Sequence, residues 1–155
     1  MIPPRPNARG TRPLAAARGI ATATSQASGL DSQNLIANGT FGSSSGWALG
    51  TNWSIAAGVL TATIVVAAGQ VASTTYTANL VQGAIYRVQF DMSTTALGSV
   101  RFQFTGGATI NGSTRSADGT YIEDVTATAA ETGFQFIAVA DYTGNIDNLS
   151  VRRVG

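Results

Sequence analysis

The chain has no cysteine, no histidine and no lysine. Without cysteine there are no disulfides and no thiolate metal sites, and cysteine usage points to no redox compartment. Without histidine the usual general base is missing, together with every Ser-His-Asp or Cys-His triad and every zinc site built on imidazole. Charge is scarce too: only 11% of residues are Asp, Glu, Lys or Arg, less than half the usual quarter. Long apolar runs are also absent. The best run behind the basic N-terminal residues is Leu14-Ala15-Ala16-Ala17, short of the seven or so a secretory signal needs. No stretch approaches the roughly 18 apolar residues of a membrane span, so the expectation is of no signal peptide and no membrane partner.

What the chain does contain is 25 Ala, 20 Thr and 18 Gly. Such a surface is neutral and hydroxyl-rich. Low charge weakens the repulsion that keeps monomers apart, so it suits a subunit covered by neighbours; a plain Thr-rich β-protein has the same composition. Val, Ile, Leu and Phe supply 35 of the 155 residues, above the roughly 20% below which chains tend to stay unfolded. A core can be built, and the length suits one domain with an appendage.

The division falls near residue 33. Residues 1–33 hold all four prolines and Arg5, Arg9, Arg12 and Arg18, with Asp31 the only acid, a net charge of +3. Residues 34–155 carry five arginines against seven acids, a net −2. Prolines at this density favour extended backbone and remove amide donors, with a short helix expected over residues 13–18 that Gly19 would stop. One reading of this arm is a free tail. The other is a tether whose four arginines bind acidic neighbours through bidentate hydrogen bonds. Nucleic acid is not expected, because the charge is too sparse and no aromatic residues interleave with it.

From Asn34 onward the apolar period is two. Leu60, Ala62, Ile64 and Val66 share one strand face. Ala72, Thr74, Tyr76 and Ala78 share another within residues 71–80. Tyr86, Val88, Phe90 and Met92 alternate with Arg87, Gln89 and Asp91, and Val100, Phe102 and Phe104 alternate with Arg101 and Gln103. Further strands are read over 121–127, 133–140 and 146–153. Turn pairs such as Leu97-Gly98, Asn111-Gly112, Asp118-Gly119 and Gly144-Asn145 separate them. Eight or so short strands without helical stripes predict an all-β, antiparallel two-sheet sandwich, a jelly roll preceded by an extended arm. An immunoglobulin-like sandwich is disfavoured because its Cys...Trp...Cys pattern is missing.

Among the acids, Asp118, Glu123, Asp124, Glu131 and Asp141 could in principle form acid–base pairs. Glu123 and Asp124 are adjacent on a strand and point to opposite faces, so solvated edges and turns are the expectation. No catalytic residue is assigned. The Asn111-Gly112-Ser113 triplet reads as a turn.

Two motifs carry a family likeness. Residues 34–41, NLIANGTF, followed by Gly46-Trp47 and Trp53, and residues 144–151, GNIDNLSV, resemble the opening and closing motifs of carbohydrate-binding-module-like jelly rolls. These are typified by NLLxNGxFExGxxGW and a GxIDNVSV-type last strand, and the resemblance covers about residues 34–154. The domain is also similar to those of bacteriophage virion proteins, among them capsid decoration proteins, head fibres and tail fibres, where a short basic arm often precedes it. That resemblance implies a non-enzymatic virion subunit, decoration, cement or fibre-type, assembled as a symmetric homo-oligomer and partnered with other capsid or tail proteins through the arm. The alternative it implies is a glycan-binding module.

In sugar-binding relatives an acid after the motif's Phe helps hold a structural calcium with the closing Asp. Here Gly42 stands in that place, leaving Asp147 and Asn38 as the candidate metal ligands and no other cofactor. Trp47 and Tyr86 read as core, as does Trp53 in one reading. Tyr76, Tyr121 and Tyr142, with Trp53, are the candidate glycan-contacting rings, although nothing in the sequence aligns them into a platform.

Overall fold

The computed structural model describes residues 33–67 and 70–154. The arm, including Arg5, Arg9, Arg12, Arg18 and the helix read over residues 13–18, therefore lies outside the described residues. Among the described residues the secondary structure is all strand: β1 (Trp47–Leu49), β2 (Trp53–Ala56), β3 (Val59–Val65), β4 (Val71–Thr75), β5 (Ile85–Thr105), β6 (Ile110–Asn111), β7 (Gly119–Thr126) and β8 (Gly133–Arg153). No helix among them is long and apolar enough to cross a membrane.

The molecule is organised by its two longest strands. β5 and β8 have 21 residues each and pair antiparallel from Tyr86↔Arg153 to Thr105↔Gly133. This ribbon bends in the middle, where the register shifts between Ser93 and Val100 and where Thr94 and Gly98 have φ of 52° and 75°. At Gly98 a Cβ would overlap the Asp141 carbonyl, so the bend requires glycine there both for its left-handed backbone and for the close approach of β8. One half of the ribbon, running to Ser93↔Asn145, is flanked by β7 on the β5 side and by β3 and then β2 on the β8 side. The other half is flanked by β6 and by β4 and then β1. Each half is thus a mostly five-stranded antiparallel sheet, and the two are continuous through the ribbon.

Alternation sets which side is inside. Tyr86, Val88, Phe90 and Met92 of β5, and Ile146, Leu149 and Val151 of β8, are buried from one half; Phe102, Phe104, Phe134 and Phe136 are buried from the other. Across the interior Phe90 packs on Phe102 at 6.3 Å and edge-on to Phe136 at 5.3 Å between ring centroids. The result is an antiparallel sandwich of jelly-roll type, as the strand pattern predicts.

Three expectations are corrected. The strands read over 86–92 and 100–104 are one strand, and so are those over 133–140 and 146–153. Glycine lets a strand bend as readily as it lets one stop: Asn145 still pairs with both Thr61 and Ser93. β4 ends at Thr75 rather than at residue 80. The opening motif itself forms no strand. Residues 34–46 are turns and bends that bury Leu35, Ile36 and Phe41, and the first strand begins only at Trp47. β2 and β3 close through Ala57-Gly58, both at positive φ (53° and 79°), a mirror-image turn that matches strand twist.

Candidate functional site

The site begins with the two motifs, because they are bonded to each other. Asn34 in the opening loop accepts the Val151 N–H through Oδ1 at 3.0 Å and donates through Nδ2 to the Leu149 carbonyl at 3.2 Å. Gly39 accepts the Leu149 N–H at 2.8 Å. A Cβ at Gly39 would overlap the Leu149 carbonyl oxygen, so only glycine lets the loop lie this close to β8. Asn38 closes the loop on itself, accepting the Gly42 N–H and donating to the Ser43 and Ser45 carbonyls. Its carbonyl receives the Trp47 indole N–H at 3.1 Å, and that ring tilts against Phe41 at 5.1 Å. The loop is held as a fixed wall beside the sheet.

Between that wall and the outer face of β5 and β8 lies a groove of about 560 Å³, lined by Asn34, Thr40, Arg87, Gln89, Asp91, Asn148, Leu149, Ser150 and Arg152. The register explains the lining. Arg87 lies opposite Arg152, and Gln89 lies opposite Ser150. On the other side, β7 brings Asp124, Ile122 and Thr120 opposite Arg87, Gln89 and Asp91. A bulge gives β8 one extra residue between the Gln89↔Ser150 and Asp91↔Asp147 pairs. It leaves Asn148 at φ 51° with its amide donating to Asp91 Oδ2 at 2.7 Å. Bulges of this kind re-aim one side chain without ending the pairing.

The groove's ends differ. At one end Arg87 grips Asp124 through two hydrogen bonds of 2.7 Å, and the guanidinium holds the Asp124 carboxyl below the usual carboxylate range. At the other end both Asp91 oxygens are in use, accepting from Thr120 Oγ1 and Asn148 Nδ2. Between and beside them Gln89, Ser150 and Arg152 have no side-chain hydrogen bond or ion pair among the described residues. They are three side chains able to donate to something other than the protein.

The outer face of the other half is arranged differently. Asn111, Gln103 and Gln135 form a ladder of amides across β6, β5 and β8: Gln103 donates to Asn111 at 2.6 Å and Gln135 donates to Gln103 at 2.5 Å. Beside it a shallower depression of about 490 Å³ is lined largely by Ser73, Thr74, Thr75, Thr105, Thr132 and Gln135.

The residues singled out in the sequence are placed as follows. Tyr76, Tyr142 and Trp53 are buried, at 8%, 0% and 6% exposure, so the expectation that they present rings to a sugar is corrected. Tyr76 packs edge-on to Phe104 at 5.9 Å, Tyr142 lies 6.3 Å from Trp53, and the Trp53 indole donates to the Gln70 carbonyl. Burial pushes the Tyr142 phenol up to about 12 and also raises that of Tyr76, with the Glu131 charge adding to the effect there. Tyr121 is half-buried, but the Arg115 guanidinium covers its ring at 4.6 Å and its hydroxyl donates to the Ala117 carbonyl. Every aromatic side chain is committed to the interior or beneath an arginine. Trp47 and Tyr86 are core, as the sequence reading has them.

Asn38 and Asp147 share no hydrogen bond. Asn38 is occupied by its own loop, and Asp147 accepts the Asn148 N–H. Calcium takes six to eight oxygens, usually with several carboxylates. With Gly42 in the acid's place, and no group of three His, Cys, Asp or Glu suited to a metal among the described residues, the donor set does not fit the ion. The five acids weighed as acid–base candidates are each engaged structurally. Asp118 accepts the Thr94 and Thr95 N–H groups at the ribbon bend, and Glu123 holds Ser113 and Arg115. Asp124 holds Arg87, Glu131 is buried against Thr128 and Ala129, and Asp141 accepts the Ala67 N–H.

Comparison with known proteins supports the architecture. Neither a protein-family profile nor a curated protein sequence matches the chain. Among solved structures, a variant of a family 29 carbohydrate-binding module in complex with cellulohexaose superposes with a TM-score of 0.55 at 18% identity, over 79% of this chain and 90% of that one. A family 4 carbohydrate-binding module gives 0.57 at 13% identity, over 77% and 99%. The enzymatically active domain of tailspike protein 4 of bacteriophage CBA120 gives 0.50 at 17% identity, over 78% of this chain and 21% of that one. At these identities the likeness is one of fold.

Proposed function

We propose that the domain is a non-catalytic glycan-binding module and that the sugar lies in the groove between the opening loop, β5 and β8. The observation that carries this reading is the set of unpartnered groups, Gln89, Ser150 and Arg152, lining a groove of about 560 Å³ on a sandwich whose structural neighbours include carbohydrate-binding modules. Polar side chains left free on a rigid sheet face can exchange water for sugar hydroxyls at little reorganisation cost. Four of the five candidate acids are taken up by protein hydrogen bonds and Glu131 is fully buried outside the groove lining, which supports binding without chemistry. The family 29 neighbour's ligand makes cellulohexaose one probe to include.

Affinity electrophoresis and glycan-panel binding test the proposal. The full chain should be retained by at least one glycan, and Gln89→Ala with Ser150→Ala should abolish retention while leaving the melting temperature in place. Failure to bind any glycan, or binding that survives the double substitution, would sink it.

The virion setting implied by the sequence resemblance stands beside this as a proposal about where the module is carried. Its support is the basic arm, with four arginines and all four prolines within 33 residues. Deleting residues 1–33 should leave glycan retention intact and abolish association with phage particles; association that persists overturns the tether.

A further inference from the structure

We infer that the glycan this groove takes is acidic, with a sugar carboxylate received by Arg152. The inference rests on the groove being a glycan site and concerns the ligand's chemical class. It starts from an imbalance. Arg87 and Arg152 lie directly opposite each other on neighbouring strands, an arrangement in which like charges repel. Arg87 is compensated on its other side, where Asp124 takes two of its N–H groups at 2.7 Å. Arg152 is exposed and has no ion-pair or hydrogen-bond partner among the described residues. A carboxylate placed beside it would accept from a planar fork suited to bidentate contact.

The rest of the groove fits one orientation of such a ligand. The carboxylate of Asp91 lies four residues along β5 from Arg87, roughly 13 Å at the usual strand rise, and its oxygens are already taken by Thr120 and Asn148. The acid group therefore belongs at the Arg152 end. Gln89 and Ser150 lie between the two ends, opposite each other, where ring hydroxyls would meet them. The absence of an accessible ring in the groove points the same way. A neutral sugar here gains only hydrogen bonds exchanged for those of water, with no stacking surface, whereas a charge-assisted bond is about twice as strong as a neutral one. The bulk charge of the domain does not provide an alternative route, since residues 34–155 carry five arginines against seven acids, and the +3 of residues 1–33 is common to both proteins compared below.

The test compares polygalacturonate with neutral cellulohexaose and amylose, using the full chain and its Arg152→Gln variant. Both proteins carry the same arm, so their difference reports the groove. The wild type should bind polygalacturonate at least tenfold more tightly than either neutral chain, and R152Q should lose about tenfold of that affinity with an unchanged melting temperature. Raising salt from about 0.1 M to about 1 M, which shortens the screening length from about 10 Å to about 3 Å, should remove most of the preference. A neutral glycan bound as tightly as the acidic one, or an R152Q variant with unchanged affinity, overturns the acidic assignment and leaves the module reading intact. Retention by no glycan overturns both.

Discussion

The two outer faces of this sandwich are built from the same pair of strands and use polar side chains in opposite ways. On the ladder face Asn111, Gln103 and Gln135 bond to one another across three strands, so the amides are turned toward the protein itself. On the groove face the side chains of Gln89, Ser150 and Arg152 stand at equivalent outward positions of β5 and β8 and make no hydrogen bond or ion pair among the described residues. Polarity alone therefore does not distinguish a binding face from a stabilising one. What distinguishes them is whether the hydrogen-bonding capacity is already used, and here the opening loop adds a wall on one side only.

The strongest way to break this contrast is to remove the wall. In Gly39→Val the new side chain meets the Leu149 backbone, which cannot yield as a flexible side chain would. The expected cost is about 3 kcal/mol, the upper end for overpacking, measured as a large drop in melting temperature together with loss of glycan retention. A native melting temperature would show that the loop is not held as described.

Alkali should affect both faces at once, because the core between them is shared. The folded-state pKa of Tyr142 is raised from about 10 to about 12 by burial, so folding favours the protonated phenol. That contribution is complete below pH 10, falls as the unfolded chain ionises above pH 10, and is gone once pH passes about 12. Tyr76 is raised in the same direction. Tyrosine absorbance and circular dichroism should therefore show phenol ionisation coinciding with unfolding. Free ionisation near pH 10 with the fold intact would mean that these rings are accessible.

The smallest effect sharpens the contrast. Gln103→Leu should cost about 1–3 kcal/mol by leaving Asn111 and Gln135 without their shared partner, and should leave glycan affinity unchanged. A loss of affinity would place the ligand on the ladder face instead.

Much of the fold could be read from alternation. Tyr86, Val88, Phe90 and Met92 point inward as their spacing requires, and Tyr76 shares a parity with buried Ala72. The merging of strands could not be read, because Gly98 and Gly144 look the same in sequence whether a strand ends or bends. Tyr142 was hidden for the same reason: it shares a face with Ile146, but Gly144 interrupts the apolar series between them. The groove was half legible. Arg87, Gln89 and Asp91 appear as an outward polar face, yet any solvated strand looks alike. Only register, which places Ser150 and Arg152 opposite them and leaves those groups unpaired, separates this face from an ordinary surface. The acid expected after Phe41 is absent, and the motif's Asn34 and Asn38 side chains bond to backbone.

The bond between Asn34 and Val151 spans 117 residues of chain, and this sets an order of events during synthesis. The loop that walls the groove is among the first parts of the domain to be made, yet its partners on β8 are among the last. β5 likewise waits for β8 along its whole length. Pairings this distant make folding slow, and until the last strand arrives the long edge of β5 has open hydrogen-bonding groups. A ribosome-stalled chain ending before Leu149 should therefore remain protease-sensitive, with both faces and the groove appearing together only after the final strand is released.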